Sequence, residues 1–262
     1  MLVPRGGAWG DRVAESARAR GLDPVVVPLI TDEPPADTGA LDAAIAELAA
    51  AAAAASAAAA VAGAGAPGAA RPAAPWLVVT SATTVRVLVG RMAGLPSGVR
   101  VAAVGTATAR AARAAGWPVD LVPDDASAAG LVAALPDTVG LVVHPRSDLA
   151  APTLADGLRE RDIPVVDVVA YRTVGTGDEP LTLDPAPDVV LVTSGSVARE
   201  VARRLTPLAP RTRIACIGPG TATETRAAGL PVHVVAAERS AEALLDAVVE
   251  SLAPHPEQEG HS

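Results

Sequence analysis

The sequence predicts an α/β fold: two similar three-layer α/β/α domains with parallel sheets, joined by a two-stranded interdomain connection. Three observations predict it. Residues 213–235 repeat residues 100–122 without a gap, identical at 12 of 23 positions, where alanine bias alone gives about 3. The repeat keeps one offset of 113 residues: Gly105 to Gly218, Thr108 to Thr221, and Thr80-Ser81 to Thr193-Ser194. Short apolar runs also alternate with helical stretches of about ten residues, the pattern of a parallel sheet covered on both faces.

Taken in order, Leu2-Val3 reads as a strand and Pro4-Arg5-Gly6-Gly7 as a turn. Asp11–Arg20 reads as a helix with Val13, Ala14 and Ala17 on one face, stopped by Gly21. Pro24–Ile30 is the next strand. A relative of this unit recurs as Gly140 to Asp148, a helix near Thr153–Arg161, and a strand from Pro164 to Tyr171. From residue 43 to 70 the chain is mostly alanine, the best helix former, so Leu41 to about Ala60 reads as helical. Gly63–Gly68 reads as a loose linker, and the whole stretch 43–75 as a tolerated surface insertion. Trp76–Val79 is continuously apolar, the mark of a strand buried on both faces. It leads through Thr80-Ser81 to a helix containing Val85 and Leu88. Strand 99–104, helix 108–115, strand 119–122 and a helix capped by Ser127 follow. The second copy runs from Val189–Val192 through Thr193-Ser194 and strand Ile214–Ile217 to strand Val232–Val235 and a helix capped by Ser240.

The stretches near 31–40 and 172–186 are rich in Pro, Gly and Asp and read as interdomain crossings. Two crossings give one discontinuous domain, 1–34 plus 174–254, and one continuous domain, 37–172, with a disordered tail at 255–262. A net charge of −8 argues against nucleic-acid or anionic-membrane partners, which need a basic face. All basic residues are arginine, and the single Cys216 gives neither an internal disulfide nor a metal cluster. With no signal-peptide pattern at the start, the reading is a cytoplasmic protein.

Ligands of open parallel sheets bind beyond the carboxyl ends of the strands. Those ends here carry Pro4-Arg5, Thr80-Ser81, Gly105-Thr106, His144-Pro145-Arg146-Ser147, Thr193-Ser194-Gly195-Ser196 and Gly218 to Thr221. Most open helices, whose first N–H groups favour anions. The bland alternative is that Ser and Thr only cap those helices. Gly218-Pro219-Gly220 partly matches a dinucleotide fingerprint but lacks its third glycine. No P-loop or nucleophile elbow is present, and His144 and His233 stand apart. Tyr171, the only tyrosine, is either a packing wedge at a crossing or a phenol able to donate a hydrogen bond to a departing oxygen.

The ordered set of Thr80-Ser81, Thr193-Ser194, the turns at 105–109 and 218–222, Ser127, Ser240 and Val-Ala-Tyr-Arg-Thr at 169–173 resembles the uroporphyrinogen-III synthase family. The resemblance implies a cofactor-free enzyme that cyclises hydroxymethylbilane to uroporphyrinogen III, losing water and inverting ring D. It implies two α/β domains with the active site between them, Tyr171 assisting departure of the hydroxyl, and Thr80, Ser81, Thr108, Ser194, Ser196 and Thr221 holding substrate carboxylates. Gly105, Gly195 and Gly218 complete the loops, and Arg5, Arg146 and Arg172 are read as added charge-assisted contacts. Thr83-Thr84 stand where such loops commonly carry Asn-Ala. The implied partners are the linear tetrapyrrole and a possible hand-off from hydroxymethylbilane synthase, acting on a monomer. The alternatives are a non-catalytic two-domain binder of an anionic small molecule and a nicotinamide-dependent dehydrogenase.

Overall fold

The computed structural model describes residues 1–62, 73–137 and 139–253. The Gly63–Gly68 linker and the tail at 255–262 lie outside them. In chain order the first elements are β1 (Leu2–Arg5), α1 (Gly7–Ala19) and β2 (Val25–Glu33). Then come α2 (Gly39–Ala62), β3 (Trp76–Val79), α3 (Ala82–Val89), β4 (Arg100–Ala103), α4 (Thr106–Ala114), α5 (Ala128–Ala134), β5 (Val142–Ser147), α6 (Thr153–Glu160) and β6 (Val165–Gly175). The last are β7 (Val189–Val192), α7 (Gly195–Arg204), β8 (Arg213–Cys216), α8 (Pro219–Ala227), β9 (Val234–Val235) and α9 (Ala241–Leu252). The chain forms two compact units, Met1–Thr31 with Val174–Ser262, and Asp32–Thr173. The divisions fall inside β2 and β6, both longer than their apolar runs suggest.

In the first unit the strands lie in the order β2-β1-β7-β8-β9, and in the second β6-β5-β3-β4. The pairings within each unit are parallel. The predicted strand at 119–122 is reduced to one bridge, Leu121 to Ala102, beside β4. Period-2 alternation on a strand buried on both sides splits its residues between two cores. In β3, Leu77 and Val79 face one cluster with Val85, Leu88 and Ala109, while Trp76 and Val78 face another with Leu131, Leu154 and Leu158. In β7, Val190 and Val192 join Val197, Val201 and Ile214, and Val189 and Leu191 join Val13, Leu244 and Val248.

Ser127 and Ser240 cap as predicted, and Ser81 and Ser194 cap as well, the bland alternative for those loops. Ser81, Ser127, Ser194 and Ser240 accept from the backbone N–H of Thr84, Gly130, Val197 and Ala243. Each pair, 81/194 and 127/240, keeps the 113-residue offset, so the duplication extends to the hydrogen that satisfies each helix start. Gly116 and Gly229, also 113 apart, turn the chain after α4 and α8 with φ of 79° and 81°, a conformation that favours glycine.

The alanine-rich stretch departs from the surface-insertion reading. Along α2, Leu41, Ala44, Leu48 and Ala52 are buried in the core that β3 and α3 share. Their spacing is helical, and the monotony of alanine hid it. Among the described residues of the first unit no helix takes this place; the segment before β7 sends Leu181 and Leu183 onto the matching core instead. By length and composition alone Gly39–Ala60 could cross a membrane, but its stripe from Leu41 to Ala52 is occupied by the sheet.

Leu48→Ala therefore leaves a cavity in a packed core. It is expected to lower the free energy of unfolding by about 3 kcal/mol, read from denaturant melts; a loss under about 0.5 kcal/mol would return α2 to the surface. Removing a cap should cost less: Ser127→Ala and Ser240→Ala are each expected to lose about 1 kcal/mol, and equal losses would show that the two units rely on the device alike.

Candidate functional site

In the second unit, chemistry gathers past the carboxyl end of β3 and on the strands β5 and β6 beside it. Val79 ends the buried strand, Thr80 and Ser81 turn the chain, and Ser81 caps α3. Tyr171 lies on β6, in register with Ser147 of β5. Its ring is buried in the α2–α3 core, which is the packing half of its sequence reading. Its hydroxyl stands 3.0 Å from Ser81 Oγ. Ser81 Oγ also accepts the Thr84 N–H at 3.0 Å and lies 2.9 Å from Thr84 Oγ1. Tyr171, Ser81 and Thr84 thus form a chain of three hydroxyls, each able to donate or accept.

A second network adjoins it, and its members stand in the sequence only as isolated residues. His144, 2% exposed on β5, places Nδ1 2.9 Å from Asp167 Oδ1 and Nε2 3.4 Å from Thr80 Oγ1. Arg146 Nε donates to Asp167 Oδ2 at 2.8 Å, and its Nη1 donates to the Ser147 carbonyl. Burial pushes the Asp167 carboxyl up, but hydrogen bonds from His144 and Arg146, with the guanidinium charge beside them, outweigh it and hold the group below its ordinary value. Arg146 therefore reaches the predicted region with one face of its guanidinium held by Asp167.

Other predicted residues of this unit are spread around the same strand ends. Gly105 is the extended residue before α4, without a side-chain cap, and Thr108 is buried on that helix. Arg172 lies 3.6 Å from Glu33, with its Nε buried and without a hydrogen-bond partner. Thr83 and Thr84, the unusual pair of the loop, are both buried. Thr83 Oγ1 donates to Asp32 Oδ2 at 3.1 Å, and Thr173 Oγ1 to Asp32 Oδ1 at 3.4 Å. Asp32 thereby ties β6 to α3.

The remaining predicted residues belong to the first unit. Arg5 ends β1. Ser194 caps α7, Gly195 is buried at its first position, and Arg199 Nη2 donates to Ser196 Oγ. Gly218 is the extended residue before α8, and Thr221, buried on that helix, accepts the Thr225 hydroxyl at its carbonyl. Thr193 Oγ1, the counterpart of Thr80 Oγ1, is buried without a hydrogen-bond partner. A Cβ on Gly195 would lie 2.6 Å from Glu224 Cδ; the second unit has Ala82 and Ala111 at the two matching positions. On β8, burial pushes the Cys216 thiol up, and Sγ donates to Thr225 Oγ1. Among the described residues, no cluster of three or more His, Cys, Asp or Glu could hold a metal ion.

The family model described as Uroporphyrinogen-III synthase HemD matches residues 11–246. Among solved structures, the chain is similar to a mutant uroporphyrinogen III synthase from the extremely thermophilic bacterium Thermus thermophilus, with 18% identity and a TM-score of 0.58, over 96% of this chain and 98% of that one. It is also similar to uroporphyrinogen-III synthetase from Helicobacter pylori, with 17% identity and a TM-score of 0.57, over 87% and 92%. At these identities the structures speak for the fold. A comparison with curated proteins finds no match. The family match runs through β3, β5 and β6 and takes in every residue of the hydroxyl chain and its neighbouring network, so the chain belongs to the uroporphyrinogen-III synthase family.

Proposed function

We propose that Tyr171, held by Ser81, assists the departing hydroxyl in this chain's version of the family reaction. Uroporphyrinogen-III synthases cyclise hydroxymethylbilane with loss of water and inversion of ring D, and the chain's place is in tetrapyrrole biosynthesis. The bilane loses its hydroxyl readily by itself and closes unaided to the uninverted isomer. The enzyme's contribution is then to hold the substrate so that closure passes through a spiro intermediate, a matter of positioning and of charge stabilisation.

The observation that carries the reading is the 3.0 Å contact between the Tyr171 hydroxyl and Ser81 Oγ. A phenol donating to a departing oxygen gains negative charge on its own oxygen. The Ser81 hydroxyl can turn its hydrogen toward that oxygen while Thr84 N–H continues to hold the serine. The cap uses one of the first N–H groups of α3; the others have no partner inside the helix and suit a substrate carboxylate. The loops at Ser194–Ser196 and Gly218–Thr221 offer the same kind of helix start in the first unit. A polyacid substrate and an acidic chain are thereby reconciled, because the anions meet backbone amides rather than a basic face. No cofactor enters this scheme. The same reading has a cytoplasmic monomer receiving the bilane from hydroxymethylbilane synthase; the single buried cysteine supports the reduced compartment, and the net charge of −8 speaks against nucleic-acid or membrane partners.

Tyr171→Phe keeps the ring and removes the donor. Turnover is expected to fall at least about tenfold, or 1.4 kcal/mol, with the melting temperature nearly unchanged. The assay supplies hydroxymethylbilane enzymatically and resolves the type III and type I products. Wild-type turnover in the variant would remove the phenol from the mechanism. Wild-type protein that binds the bilane but yields no excess type III product would make the chain a binding module.

A further inference from the structure

The duplication provides an internal control for the His144 network. Pro145-Arg146 of β5 matches Pro4-Arg5 of β1, which sets His144 against Val3 and Asp167 against Val26. The registers agree: His144 pairs with Asp167 as Val3 pairs with Val26. Both neighbouring strands also agree, since β5 lies beside β3 and β1 beside β7. His144 and Val3 are equally buried, at 2% and 0% exposure. The fold therefore closes over a valine pair at this place in one unit and a histidine–aspartate pair in the other. A buried carboxylate and its hydrogen-bonded partner are costly to desolvate and seldom more stable than an apolar pair of similar size. Stability alone gives no reason for His144 and Asp167.

What changes between the units is the threonine. Thr193 Oγ1 is buried without a hydrogen-bond partner in the unit that has Val3, whereas Thr80 Oγ1 faces His144 Nε2. A carboxylate only accepts, so Asp167 selects the tautomer with its hydrogen on Nδ1, in which Nε2 turns a lone pair toward Thr80. Thr80 donates its hydrogen there and keeps its oxygen lone pairs for a donor. The bilane's donors are its pyrrole N–H groups.

We propose that His144 is a positioning residue that fixes the Thr80 hydroxyl as an acceptor for a substrate pyrrole N–H, with Asp167 and Arg146 fixing the histidine. The assignment rests on the functional reading above and deepens it, separating one N–H contact from the carboxylate contacts of the helix starts.

Three variants of the full chain test it: Thr80→Val, His144→Val and Asp167→Asn. The last is nearly isosteric. Arg146 Nε needs an acceptor at Oδ2, so the new amide turns its NH2 toward His144 and forces the hydrogen onto Nε2. Thr80 then becomes the acceptor of the pair and presents a hydrogen to the substrate instead of lone pairs. Each variant is expected to raise KM for hydroxymethylbilane about tenfold, the loss of one good hydrogen bond, with kcat little changed and a larger type I fraction. Thr80→Val combined with His144→Val should be no worse than either alone. Should Thr80→Val keep the wild-type KM, Thr80 does not touch substrate and this inference falls, while the Tyr171–Ser81 reading stands. If Thr80→Val is impaired while Asp167→Asn and any folded His144→Val behave as wild type, this inference falls and the reading above stands. Full additivity of the double variant also overturns it, because His144 would then act elsewhere. His144→Gln, whose amide can accept at the place of Nε2, is expected to recover most of the affinity; where His144→Val does not fold, Asp167→Asn decides.

Discussion

Burying a parallel strand on both faces is the constraint from which the rest follows. Trp76–Val79 and Val189–Val192 are almost wholly inaccessible, with apolar side chains committed alternately to the two cores of their unit. Such a strand has no side chain to spare for chemistry. The first residues free of that commitment are those just beyond its carboxyl end, where the chain must also start a helix. Ser81 and Ser194 meet the second demand by accepting a helix N–H. A serine cap keeps its own hydrogen, so satisfying the backbone leaves a donor for something else. In the second unit the Tyr171 hydroxyl comes within reach of that serine.

Duplication separates what the fold requires from what one unit adds. The caps at 81/194 and 127/240 and the turn glycines at 116/229 recur in both units, so they belong to the shared architecture. Three of the differences between the units concern cover, volume and charge: α2 stands in place of the segment carrying Leu181 and Leu183, Gly195 and Glu224 in place of Ala82 and Ala111, and His144 and Asp167 in place of Val3 and Val26. The first is a different cover for the same apolar face. The second exchanges side-chain volume between adjacent helices, and its flexible partner is the end of a glutamate. The second sets its glutamate at the surface, whereas the third puts a carboxylate into an enclosed place that apolar residues can fill.

The fold was legible where one residue type carries one physical meaning. Continuous Val and Leu marked the central strands, and Ser before an apolar periodic stretch marked the caps. Legibility failed where a residue type carries several meanings. Alanine in α2 is at once a helix former, a core residue at 44 and 52 and a surface residue elsewhere, so the buried stripe disappeared in the composition. The strand predicted at 119–122 shrank to one bridge because Pro118 and Pro123 bracket it. In the site, Thr80, Ser81 and Tyr171 could be picked out by their place after strands or by rarity. His144 stands at a strand end too, but its role could not be read there. Its partner Asp167 is 23 residues away and is brought beside it only by the register of β5 on β6. A comparison of the two Pro-Arg turns was the available signal, since it opposes histidine to valine at a buried position.

A reaction that needs positioning more than proton transfer should leave this kind of trace. General acid–base catalysis calls for titratable groups poised close to the substrate, and their pKa values are tuned by burial and charge. Here the carboxylate with a resolved shift, Asp167, is moved away from neutrality and toward permanent ionisation, which suits a group that holds its neighbours rather than one that exchanges protons. Arg146 and His144 take both of its oxygens. What the network hands on to Thr80 is a direction for one hydrogen. Where two products differ only in which carbon of a ring is attacked, the direction of a few hydrogen bonds is enough to decide between them, because about 1.4 kcal/mol separates competing closures by a factor of ten.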